Sequence, residues 1–144
     1  MRSIVLMTAM AALLAGCGGG GKGKIEKFTE EDFATRPDAN FQRGIDLLNN
    51  PDKNGVVDYA GALQKFQAAE NLGGGAKASF NAGWVAERTG NMAAAEGHYR
   101  KAYEADNTYD AALFSLARVL NEQGKAAEAV ALYKSVAERD PKNY

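Results

Sequence analysis

Only one cysteine and one histidine occur among the 144 residues. A single cysteine cannot close an internal disulfide, and with one histidine it cannot build a zinc cage. A Cys–His nucleophile would have to join Cys17 to His98, and Cys17 lies beside a string of glycines, outside any foldable segment. No run of Lys or Arg exceeds a pair, and 17 basic residues stand against 18 acidic ones. The electrostatic footprint of a nucleic-acid binder is therefore missing. The apolar stretch from Ile4 to Leu14 holds eleven residues, too few to span a bilayer, which takes roughly 20. What is left is one small domain with a modest core and something attached at its front.

The front has the layout of an export signal. Arg2 supplies a positive start, the apolar stretch follows, and small residues Ala15 and Gly16 close it. Leu14-Ala15-Gly16-Cys17 resembles the lipobox of bacterial lipoproteins. That resemblance implies cleavage before Cys17, a diacylglycerol on its thiol and an acyl chain such as palmitate on its new amine. One chain anchors only marginally, at about 0.8 kcal/mol per buried methylene, so two or three chains hold durably. An Asp after the cysteine retains Gram-negative lipoproteins at the inner membrane. Gly18 stands there instead, which implies the outer membrane. The expected division is a signal over 1–16, a lipidated cysteine and flexible tether over 17–36, and a folded domain over 37–144. Within the tether, Gly18–Lys24 is expected to be flexible coil, and Thr29-Glu30-Glu31-Asp32 could cap one short helical turn before Phe33.

The folded part repeats itself. Between Phe80–Asn107 and Phe114–Pro141, Gly90 falls on Gly124, Ala95 on Ala129, Tyr99 on Tyr133 and Asp106 on Asp140, each 34 residues apart. The glycines follow helical stretches, where a left-handed residue ends a helix. Small Gly83, Ala95, Ala117 and Ala129 let paired helices approach, with Tyr99 and Tyr133 filling the space beside them. This pattern resembles the tetratricopeptide repeat, a helix–turn–helix unit of that length. An earlier copy pairs Phe41–Asn50 with Asp58–Gly73, Gly44 matching Gly83 and Asp58 capping the second helix. Its longer turn and the Ala68-Ala69 pair resemble the related Sel1-type repeat. The expected fold is all-α, an α-α superhelix of about three repeats (about 37–73, 76–107 and 110–141) and six helices. Neighbouring units must stack to share one core. The last unit is expected to leave part of the face carrying Val130, Tyr133 and Val136 against solvent, so that end is either sticky or incomplete.

In stacks of this type the first helices line the concave side. Phe41, Phe80 and Phe114 occupy equivalent places there, with Ile45, Trp84 and Arg118 one turn further along. Aromatics with Arg are the composition of binding hot spots, and a Trp beside an Arg can hold a peptide by stacking. The plainer alternative is that the phenylalanines only pack between repeats. Some tetratricopeptide domains clamp a terminal carboxylate with Asn and Lys or Arg from the first helices. The corresponding places here are Ile45, Trp84 and Phe114, and only Arg118 is of a fitting type. An apolar or helical segment is the better expected ligand.

No catalytic set assembles. Glu96 with Glu104, or Asp106 with Asp110, fall on helix surfaces or ends, and His98 reads as a solvated surface residue. The Gly18–Gly21 and Gly73–Gly75 runs lack the following Lys-Ser/Thr of a phosphate loop. The expectation is a non-enzyme without cofactor or metal: a membrane-anchored interaction scaffold or assembly factor of the bacterial envelope, pilotin-like or accessory to outer-membrane barrel insertion. Its partner would be a protein or peptide. The alternatives are a non-catalytic subunit of a periplasmic enzyme complex, or a structural protein that self-associates through its C-terminal repeat.

Overall fold

A computed structural model describes residues 28–139. Cys17, the signal and the Gly18–Lys24 run lie outside the described residues. Among the described residues seven helices follow one another: α1 (Glu30–Thr35), α2 (Pro37–Asn49), α3 (Tyr59–Asn71), α4 (Gly75–Arg88), α5 (Met92–Ala105), α6 (Asp110–Glu122) and α7 (Ala126–Arg139). Among the described residues there is no strand. The helices pair as α2 with α3, α4 with α5 and α6 with α7, and the pairs stack through α3 on α4 and α5 on α6. The main contacts thus join sequence neighbours, as in a solenoid.

Helix α1 falls inside the segment assigned to the tether and makes seven helices where six were expected. It owes its existence to a complete capping box. The Asp32 amide donates to the Thr29 hydroxyl (3.2 Å), and the Thr29 amide donates to the Asp32 carboxylate (2.7 Å). Proline at 37 then forces Arg36 into an extended conformation (φ −112°, ψ 117°), which separates α1 from α2. Buried Asn40 ties the two together, its amide donating to the Phe33 carbonyl (2.6 Å) and the Arg36 carbonyl (3.2 Å). The Lys65 ammonium lies 4.4 Å from the centre of the Phe33 ring, so α1 also leans on α3.

Close approach within the first two pairs depends on a missing side chain. A Cβ on Gly44 would sit 2.7 Å from the Phe66 ring, and one on Gly83 would sit 2.8 Å from the Tyr99 ring. Phe66 and Tyr99 are fully buried. In the third pair Ala117 and Tyr133 pack in the same apolar cluster. Gly90 and Gly124 both adopt φ +80°. Each ends its helix in the same way: the Gly90 amide donates to the Glu87 carbonyl and the Asn91 amide to the Ala86 carbonyl, repeated by Gly124 on Asn121 and Lys125 on Leu120. The Asp58 carboxylate accepts from the Gly61 amide (2.8 Å), capping α3 after the long turn over 50–58.

At the last repeat the structure shows which part of the expected face meets solvent. Val130 is 51 % exposed, but Val136 is buried and Tyr133 is half-buried beneath Phe114. Only part of the α7 face therefore meets solvent.

Candidate protein-binding face

The three first-helix phenylalanines each lean on a ring of the second helix in their own pair. Ring centroids lie 5.6 Å apart for Phe41 and Phe66, 5.5 Å for Phe80 and Tyr99, and 5.4 Å for Phe114 and Tyr133. Such pairs contribute about 0.5–1.5 kcal/mol beyond area burial. Phe41 and Phe80 are half-buried, and Phe114 is 45 % exposed. The row therefore serves packing and surface at once, with its free ring at the third repeat.

One turn along, Ile45 and Trp84 come together against the cluster of Ala62, Phe66, Ala82 and Val85. Trp84 also meets Tyr59, with centroids 6.5 Å apart. Arg118 does not join them. It forms a two-pronged pair with Glu87, each contact 2.5 Å, and reaches Glu122 at 3.2 Å. The guanidinium beside the indole belongs instead to Arg88, whose Cζ lies 4.9 Å from the Trp84 ring centre. The signal was present in the sequence: Trp84 and Arg88 are four residues apart on one helix.

Glu87 is the hub of this face. Its Oε2 accepts from the Tyr99 hydroxyl (2.9 Å) as well as from Arg118. The Arg118 hydrogen bond holds the Glu87 carboxyl below the usual carboxylate range, against the opposing effect of burial. Burial, followed by the hydrogen bond to Glu87, pushes the Tyr99 hydroxyl up. Tyr99 thus remains a neutral donor and Glu87 a fixed anion.

Three of the four candidate acids, Glu96, Asp106 and Asp110, are also committed. Lys125 and Arg100 pair with Glu96, and the Lys125 hydrogen bond, foremost, keeps its carboxyl low. Asp106 accepts from the Thr108 hydroxyl and amide, which holds it ionised in a turn. Asp110 pairs with Arg139 at 3.1 Å. Fixed, paired carboxylates suit holding a shape better than passing protons. Among the described residues no group of three or more His, Cys, Asp or Glu could hold a metal.

His98 departs from its expected place in solvent. Its side chain is only 11 % exposed, and Nδ1 lies 2.9 Å from Glu70 Oε2. Lys101 binds the other oxygen of Glu70. Burial raises the Glu70 carboxyl, but the hydrogen bonds from Lys101 and His98 outweigh it and the net direction is down. This cluster joins α3 to α5 across the first junction.

A three-pair helical stack with this surface defines a class: a tetratricopeptide-like repeat protein, a fold that holds protein partners. The chain carries such repeats. One tetratricopeptide-repeat family profile matches residues 58–110 and a second matches 86–144. Among solved structures, the crystal structure of MamA protein shares the fold, with a TM-score of 0.64 and 21 % identity over 77 % of this chain. The match covers 57 % of the MamA chain, and at that identity the likeness concerns the fold alone. No curated protein matches the chain.

Proposed function

We propose that the protein is a lipid-anchored scaffold of the bacterial envelope that binds a protein partner on the first-helix face of its repeats. The supporting observation is the face itself: Phe114 stands 45 % exposed, with Arg88 stacked on Trp84 in the preceding repeat. Anchoring rests on Leu14-Ala15-Gly16-Cys17, with Cys17 as the lipidated residue and Gly18 favouring the outer membrane. Among the described residues no helix is long and apolar enough to cross a membrane. Confinement to a surface raises effective concentration, so a modest contact can direct assembly. The first repeat, with its long turn, is of the Sel1-like kind.

Two measurements test this reading. Mass spectrometry of the native protein should find an acylated Cys17 at the amino terminus; an unmodified terminus upstream of it refutes the anchor. In a crosslinking pull-down from intact envelopes, Trp84→Ala should weaken partner capture while helicity by circular dichroism is kept. Undiminished capture refutes the face. Self-association through the last repeat is the second reading, favoured by Val130 at 51 % exposure. Light scattering that finds a monomer at all concentrations removes it.

A further inference from the structure

The repeat supplies its own template for a binding site. In the second pair, Phe80 is covered by Tyr109, which enters from the α5–α6 turn with ring centroids 5.1 Å apart. Phe41 is the counterpart of Phe80 in the first pair. The residue 34 places before Tyr109 is Gly75, preceded by Gly73 and Gly74. Among the described residues no ring enters there. The result is a hollow of about 340 Å³ lined by Pro37, Asp38, Phe41, Gly73, Gly74 and Lys77, at the small end of ligand sites.

Charge completes the description. Asp38 on the rim is already paired with Arg36 at 2.5 Å. Lys77 is exposed and has no carboxylate partner among the described residues. The hollow therefore offers an apolar aromatic floor with the exposed Lys77 and the Arg36-paired Asp38 on its rim. In the internal template the ring of Tyr109 is likewise followed by an acid, Asp110, whose carboxylate meets a cation, Arg139, at 3.1 Å.

We propose that the Phe41 hollow receives an aromatic side chain of a partner protein in which an acidic residue follows the ring, the ring resting on Phe41 and the carboxylate meeting Lys77. The inference rests on the reading of this chain as a protein-binding scaffold and names the chemistry of one contact. A single ring and one exposed ion pair give weak affinity, about millimolar, which surface confinement compensates.

The test titrates the acetylated and amidated peptide Asp-Asn-Thr-Tyr-Asp, copied from residues 106–110, into the full chain in detergent micelles. The readout is backbone amide NMR. Shifts should concentrate at Gly73, Gly74 and Lys77. Replacing the peptide's tyrosine by alanine should abolish them. Lys77→Glu, on an exposed side chain, should weaken the acidic peptide about five-fold and leave a peptide with Asn in place of both Asp residues unchanged. Equal binding of the alanine peptide overturns the proposal, as does indifference to Lys77→Glu or shifts confined to Trp84 and Arg88. Concentration-dependent self-association abolished by Lys77→Glu would also overturn it, by assigning the hollow to a second copy. The pull-down reads the scaffold role separately: a captured partner with no peptide shift at Gly73 and Gly74 sinks the hollow alone.

Discussion

Replacing Gly83 by alanine puts two effects of opposite sign against each other, and the structure decides between them. Inside a helix, Gly→Ala gains about 1 kcal/mol of intrinsic propensity. At position 83 the new Cβ would stand 2.8 Å from both Cδ1 and Cε1 of Tyr99. That ring cannot swing aside, since Tyr99 is 1 % exposed and its hydroxyl is held by Glu87 at 2.9 Å. Overpacking of this kind costs about 1–3 kcal/mol, and the closed surroundings place it near the top of that range. The net expectation is a loss of about 1–2 kcal/mol. Gly97, in the middle of α5, is the control, because a Cβ there meets nothing within 4 Å. Gly97→Ala should keep the whole propensity gain of about 1 kcal/mol. Urea unfolding followed by circular dichroism should therefore move the two midpoints in opposite directions. The thermal midpoint should move by several degrees for each kcal/mol. If Gly83→Ala stabilises the protein as Gly97→Ala does, the close approach of α4 to Tyr99 is wrong.

Further outcomes follow from the caps and the charges. Gly124→Ala forces a Cβ into φ +80° and should cost about 1–2 kcal/mol by the same assay, whereas a neutral result would deny the left-handed ending of α6. Asp58→Ala removes the acceptor for the Gly61 amide and should cost about 1 kcal/mol, with Asp58→Asn recovering most of it. Arg118→Ala should cost about 1 kcal/mol, an effect that shrinks in high salt because Arg118 is 38 % exposed. Glu87, held below its ordinary value of 4.5, lends stability that is complete above that value and lost as pH falls through its lower folded pKa. Unfolding free energy should decline below about pH 4.5, and less steeply in Glu87→Gln; an unchanged slope would refute the Arg118–Glu87 assignment.

Much of the fold was legible because its determinants are local or periodic. Gly90 and Gly124 announce helix ends, and Gly83 with Tyr99 announces a close pair, at a fixed stride of 34 residues. Helix α1 was underestimated because six residues carry too little periodicity to stand out from a polar segment; only Thr29 and Asp32 marked it. The binding face was legible in part. Position along the helix placed Phe41, Phe80 and Phe114 in equivalent surroundings, but the row alone could not reveal which ring each would meet. Arg118 and His98 were misjudged for one reason: their partners come from the neighbouring repeat. Glu87 reaches Arg118 across 31 positions, Glu70 reaches Lys101 across 31 and His98 across 28, and Glu96 reaches Lys125 across 29. The repeat length less about one helical turn is the spacing at which opposite charges meet, and that spacing is visible in a bare sequence.

These cross-repeat pairs bear on how such a chain can lengthen. A copy of the second unit placed after itself would set Trp84 and Asn91, rather than Arg118 and Lys125, opposite Glu87 and Glu96, so a duplicated seam begins without those ion pairs. Each existing seam carries its own charge match, and tandem copying alone does not reproduce it.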